Sequence, residues 1–436
     1  MIRFILSDLR RLWAGALVVV LLVALATGLG VAVTLQERAI RLGSARAADR
    51  FDLVIGAAGS ETQLVLSSVF LQPSPLPLMP GTVLKKLAAD PRVAWVAPIG
   101  FGDSFFGYPI VGTTTALIAH ATAGFAEGNL FKLEGEAVIG SAVNLPIGAE
   151  IKPMHGTVVQ GGHTHTEIAY HVTGKLKPTG TAWDRAILVP IQAVWHLHGL
   201  GADHDDESHN SQRQDDEHSH VATPVPAKGA TPHLEHDDHD HHDGVDPDAP
   251  LDETWSANIP GVPALLVKPK TIADAYKLRQ DYRSGATLGV FPGEVLTGLY
   301  ATLGDVKLIL VAVASGAQAL VAASLMLVTV MHIGQRRRQI GALRAFGAPR
   351  SAVFLIVWLE LVMLFALGIA AGFVIGYGAA ILGATMFTTE SGVSLPVSFV
   401  RGDLLPGAML LCLAALLAAL PALLAYRQSP AQALRS

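Results

Sequence analysis

The chain has 436 residues, of which 51% are hydrophobic and 15% charged, with a formal net charge of −5 and one cysteine, Cys412. So apolar a composition excludes an ordinary soluble domain, and a lone cysteine excludes a disulfide framework and a cysteine-based zinc site. The net charge describes no single part of the molecule, because acidic and basic residues are segregated along the chain.

Four apolar runs, residues 12–33, 306–330, 352–380 and 404–426, are each long enough to cross about 30 Å of hydrocarbon as a helix. The first follows Arg3, Arg10 and Arg11 as a signal peptide would, but its length and the lack of a small-x-small cleavage site predict a retained helix. Lysine and arginine placement sets the orientation. Arg336, Arg337, Arg338, Arg344 and Arg350 fall between the second and third runs, and Arg427 and Arg435 follow the fourth. Both termini and the arginine-rich loop are therefore expected in the cytoplasm, and the long segment 36–304 outside, in the periplasm of a bacterial inner membrane. In the third run Gly368, Gly372 and Gly376 recur every four residues, the small-xxx-small spacing of a close helix–helix or dimer contact. Glu360 in the same run belongs either to a transport path or to the interface, where its carboxylate snorkels.

The outer segment reads as mixed strand and helix. Strands are expected at 51–55, 94–98, 108–111, 137–139, 168–172, 186–189 and 264–267, and helices at 82–89 and 271–282, on stalks continuing from the first and second membrane helices. No G-x-S-x-G elbow and no Walker A sequence is present, so the chain is expected to be non-catalytic, with any ATPase on another chain. The fold class is thus an α-helical integral membrane protein with four transmembrane helices and an α+β extracytoplasmic domain between the first two. The divisions are 1–35, 36–304, 305–426 and a tail at 427–436.

From residue 195 to 250 the composition shifts to histidine and acid, with almost no apolar content, which predicts a disordered insert. It holds His196, His198, His204, His209, His218, His220, His233, His236, His239, His241 and His242 among aspartates and glutamates. Imidazole suits Zn²⁺, Cu²⁺ and Ni²⁺, so His204 through His242 are expected to form several weak, exchangeable sites, zinc foremost, or else a soluble spacer or pH switch. Ahead of the insert, His163 and His165 would share one face of a strand as an ordered ligand pair, with His155 or His171 as a third ligand. His120 and His332 are read as unrelated.

Gly334-Gln-Arg-Arg-Arg-Gln-Ile-Gly-Ala-Leu-Arg-Ala-Phe-Gly-Ala-Pro-Arg350 is the most specific stretch in the chain. It resembles the cytoplasmic segment of the FtsX/MacB/LolC-type ABC transporter permeases, with Gln339 and Phe346 where that family often has Glu and Leu. The ending Ser429-Pro-Ala-Gln-Ala-Leu-Arg435 is similar as well, and residues 51–70 and 102–114 resemble a MacB-like periplasmic core. The resemblance implies a mechanotransmission-type (type VII) transporter, in which two permeases pair with two ATPase subunits that alone bind ATP. Segment 334–350 would be the coupling element, with Arg336, Arg337, Arg338, Ile340, Leu343, Arg344, Phe346 and Arg350 against the ATPase. Their basic, amphipathic pattern independently suits a protein groove or a lipid headgroup layer. The expected partners are that ATPase, a second permease copy or paralogue, a periplasmic binding or lipoprotein partner and membrane lipid, with no nucleic acid. Three functions stay open: metal-linked transport, lipoprotein or macrolide traffic with an incidental histidine loop, and an FtsX-like scaffold driving a periplasmic hydrolase.

Overall fold

The structure is a computed structural model that describes residues 13–155, 163–164, 168–200, 246–255, 259–302 and 349–427, with 304, 308, 309, 312, 313, 315, 316, 319 and 323 between. Helix α1 (Trp13–Ala48) is 36 residues long, roughly 54 Å at about 1.5 Å per residue. Its apolar run ends near Val33, but no proline or paired glycine interrupts the following residues, and the helix continues outward. There Leu35, Ala39, Gly43 and Ala47, spaced four apart, form a buried stripe.

The strand-rich domain follows as β1 (Leu53–Ala57), α2 (Glu61–Ser68), α3 (Thr82–Ala88), β2 (Val93–Ile99), β3 (Asp103–Phe105), β4 (Tyr108–Thr113), α4 (Thr115–Ala121), β5 (Phe125–Gly128), β6 (Glu136–Ile139), β7 (Glu150–Ile151), β8 (Met154–His155), β9 (His163–Thr164), β10 (Tyr170–Leu176), β11 (Ile187–Pro190), α5 (Ile191–Leu197), β12 (Ala264–Pro269), α6 (Ile272–Asp281) and β13 (Thr287–Val290). A helix then runs from 292 to 302. One sheet, β13-β1-β12-β2, is wholly antiparallel. It is buried on both faces: Leu53, Ile55, Leu265 and Val267 pack with Leu84, Leu87 and Leu278, while Val54, Ala97 and Leu266 face Leu64 and Val65. This is why its strands read as continuous apolar runs rather than alternating ones. The second sheet, in order β5-β10-β6-β11-β4-β3-β8-β9 with β7 beside β10, is mixed, β11 pairing parallel to β4 and β10 parallel to β6. The expected strands are all present, although the one placed at 168–172 starts at Tyr170 and runs to Leu176.

Helix α7 (Arg350–Ser391) spans 42 residues and α8 (Leu404–Arg427) 24. Among the described residues three helices are long and apolar enough to cross a membrane, α1, α7 and α8. The run at 306–330 falls largely outside the described residues. Helix α7 extends past the apolar stretch ending near 380 and stops only at Gly392, whose φ of +74° forms a left-handed cap with its N–H bonded to the Thr388 carbonyl. The stalk expected to continue from the first membrane helix is present in α1, and α7 adds to it an extension that was not expected.

The glycines at 368, 372 and 376 pack within the chain, against α1. A Cβ on Gly372 would lie 2.6 Å from Thr27 Cβ and 2.8 Å from the Ala24 carbonyl oxygen, and one on Gly376 2.5 Å from the Gly28 carbonyl oxygen. Gly28 meets the Gly372 carbonyl oxygen in return, so bare backbone on both helices allows the close approach. Glu360 on the same helix is partly buried.

The domain sits on these helices through an apolar joint. One core cluster contains Ala39 and Ala47 of α1, Ala384 of α7, Val393 and Leu395 beyond it, and Phe51, Val69, Trp183 and Leu266 of the domain. The loop 179–184 completes the joint. The buried Asp184 carboxylate accepts hydrogen bonds from Thr179 N, Thr179 Oγ1 and Gly180 N, each at 2.7 Å, and the loop docks through Ser394 N to the Gly180 carbonyl and Arg185 Nη1 to the Thr389 carbonyl at 2.5 Å. Arg38 of α1 grips Asp403, just before α8, with both guanidinium nitrogens at 2.8 and 2.5 Å.

Candidate metal centre

The turn joining β3 to β4 is a two-residue hairpin, with Phe106 and Gly107 both at positive φ and Phe105 paired to Tyr108. It fixes the register of β3, whose first residue, Asp103, has a side chain only 3% exposed. Strand β8 pairs with β3 so that His155 stands opposite Asp103, and β9 pairs with β8 so that His163 stands opposite His155. Helix α5 supplies the third element. It rests on two glycines: a Cβ on Gly100 would meet Ile191 Cδ1 at 2.7 Å and one on Gly112 would meet Val194 Cγ2 at 2.6 Å. That close seat holds His198, just past the helix end, over Asp103.

The result is a three-residue cluster, Asp103, His155 and His198, with one ligand atom from each lying within 4.8 Å of the others. His155 Nδ1 is 3.3 Å from Asp103 Oδ1, and His198 Nε2 is 3.3 Å from Asp103 Oδ2. The two rings meet edge-on with centroids 5.6 Å apart. Gly102, at φ +152°, leaves space beside the ring nitrogens, where a Cβ would stand 3.2 Å from His198 Nε2 and 3.7 Å from His155. The hydrogen bond with Asp103 holds the His198 imidazolium above its ordinary pKa, outweighing the opposing effect of burial.

A second acid–histidine pair lies on the same helix: His196 Nδ1 is 2.9 Å from Oε2 of Glu134, whose side chain is 6% exposed. Between the two carboxylates in charge terms sits Tyr170. Its fully buried hydroxyl has no hydrogen-bond partner among the described residues, and its pKa is pushed up by burial first and then by Asp103 and Glu134.

Both edges of the histidine-rich stretch 195–250 are tied to the folded domain. Residues 195–197 belong to α5, Trp195 and Leu197 are buried, and His196 and His198 are held by carboxylates. The returning chain is fixed too: Gly135 N bonds to the Pro247 carbonyl, Glu134 N to the Ala249 carbonyl, and Glu253 accepts from Thr115 N and Oγ1 at 2.7 and 2.6 Å. Residues 195–200 and 246–250, at the two edges of the expected insert, thus pack with the folded domain, and residues 201–245 lie outside the described residues. His204, His209, His218, His220, His233, His236, His239, His241 and His242 lie in that stretch, and His165 also lies outside the described residues. His171 does not join the cluster. It is exposed, next to the buried Tyr170 on β10, opposite Glu136 and Glu150. His120 stacks on Trp95.

In the membrane part, α7 packs on both α1 and α8. Residues 311–430 match the FtsX-like permease C-terminal domain. This FtsX-like segment takes in all of α7 and α8 and relates the chain to the permease subunits of ABC-type transporters. Within it, Arg336, Arg337, Arg338, Ile340, Leu343, Arg344 and Phe346 lie outside the described residues, and Arg350 opens α7. No curated protein matches the chain. Among solved structures, the periplasmic region of MacB from Actinobacillus actinomycetemcomitans is similar at 8% identity and a TM-score of 0.31, over 58% of this chain and 95% of that one. The extracellular domain of the noncanonic ABC-type transporter YknZ from Gram-positive bacteria is similar at 9% identity and a TM-score of 0.28, over 55% of this chain and 98% of that one. At those scores neither likeness bears on the site.

Proposed function

We propose that this chain is the membrane subunit of a mechanotransmission-type ABC transporter, which passes motion driven by a partner ATPase out to its periplasmic domain and serves divalent-metal handling, zinc foremost. The observation that carries the first part is the single apolar core running from α1 and α7 into the domain. Packed interiors transmit displacement rather than absorb it. The FtsX-like match supports the permease class. The second part is supported by the Asp103–His155–His198 cluster and the histidine tract that follows it. ATP stays on the partner, coupled through segment 334–350, and the membrane complex is completed by a second permease copy or paralogue. The localisation is the bacterial inner membrane, with segment 36–304 in the periplasm.

The test is purification of the intact complex from native membranes through a tag on this chain, followed by ATP hydrolysis. An ABC ATPase and vanadate-sensitive turnover should accompany the chain, and Leu343→Asp combined with Arg344→Glu should remove both. A complex with no ATPase activity would sink the permease reading.

A further inference from the structure

We infer that Asp103, His155 and His198 form an ordered, exchangeable zinc-class cation site on the periplasmic domain, distinct from any site in the histidine tract. The inference deepens the metal-handling part of the proposed function and rests on it for biological purpose, but not for geometry.

His155 Nδ1 and His198 Nε2 approach the two oxygens of one carboxylate, each at 3.3 Å, and one ligand atom from each of the three residues lies within 4.8 Å of the others, a spread that an ion with ligand bonds of about 2.0–2.1 Å can draw together.

The Asp103 carboxylate is almost fully buried, so its charge calls for a positive partner close by, a place that the His198 imidazolium fills in acid and a bound cation would fill when the imidazoles are neutral. Two imidazoles with one carboxylate form a nitrogen-rich set that favours Zn²⁺ and its neighbours over Mg²⁺ or Ca²⁺.

Gly102 sits in backbone territory that favours glycine, and it keeps the volume beside both rings clear of a Cβ.

Three protein ligands leave a coordination position open, as in zinc sites that exchange water or substrate rather than in closed structural ones. His155, with its side chain 60% exposed, is the face through which the ion would enter and leave. The site is thus suited to passing on a cation rather than to locking a fold.

The experiment uses the full-length chain in detergent with every histidine between 204 and 242 replaced by asparagine. It is titrated with ZnCl₂ by calorimetry and with CoCl₂ by visible absorption. One ion per chain should still bind, with cobalt d–d bands of a low-coordinate nitrogen–oxygen site. His155→Ala and His198→Gln should each weaken binding by about 100-fold or more, since even second-shell losses cost about 10–100-fold. His155 is exposed, so its substitution reports on binding without threatening the fold. Binding that neither substitution moves, or no binding by the tract-substituted chain, would overturn the site and leave a hydrogen-bonded His–Asp–His trio only. If the unmodified chain also fails to bind zinc, the metal-handling reading fails with it, while the permease reading stands on its ATPase test.

Discussion

Asp103 carries the most chemistry of any single residue in the domain, and the sequence does not point to it. It stands 52 positions from His155 and 95 from His198, and only the β3–β8 pairing and the seat of α5 bring them together. His196 and His198 are visible as histidines, but their composition merges them with the tract that follows. What separates them is the buried Trp195 and Leu197 beside them. Of the four histidines ahead of the insert, His155 enters the cluster, His163 stands at the adjoining register position, His171 is exposed away from it and His165 lies outside the described residues. The Asp103–His198 pair also sets a pH dependence. Because the folded pKa of His198 is raised, the pair's stabilisation is fully present below the unfolded value of about 6.5 and is lost as pH rises through the folded value. Thermal melts of the chelator-treated protein should show this loss on going from acid to mildly alkaline pH, and His198→Gln should flatten it. A wild-type profile as flat as the variant's would show that the pair does not form in solution.

At the scale of elements, hydropathy was a good guide wherever a segment is long. The apolar runs that became α1, α7 and α8 were legible, as were the buried strands β1, β2 and β12. The outward extension of α1 was anticipated as a stalk, but that of α7 was not, because its residues beyond 380 leave the apolar stretch that marks the membrane run. Strands β3, β7 and β8 were also missed, since two or three residues give no periodicity. The glycine spacing in α7 announced a close helix contact, and α1 is the helix it contacts. Gly372→Leu should therefore destabilise the membrane part by about 1–3 kcal/mol in detergent unfolding, as overpacking does. Gly378→Leu should be nearly neutral, because a Cβ there meets nothing within 4 Å. Equal effects at both positions would contradict the assigned α1–α7 contact.

For the whole molecule, the account makes the periplasmic domain and the outer ends of α1 and α7 one body. The apolar cluster from Ala39 to Leu395, the Asp184-braced loop and the Arg38–Asp403 grip join them at separate points. Under the proposed function, a motion begun at segment 334–350 would then arrive at the Asp103–His155–His198 cluster without a hinge at this joint. The most direct measurement is a disulfide trap. A Cβ built on Gly180 lies 3.5 Å from Ser394 Cβ, within the span a disulfide bridges. In a Cys412→Ser background, Gly180→Cys with Ser394→Cys should crosslink to the same extent in nucleotide-free and vanadate-trapped complexes, and oxidation should leave ATP turnover intact. Crosslinking in only one state, or turnover arrested by oxidation and restored by reductant, would show that the joint opens during the cycle and would contradict the account.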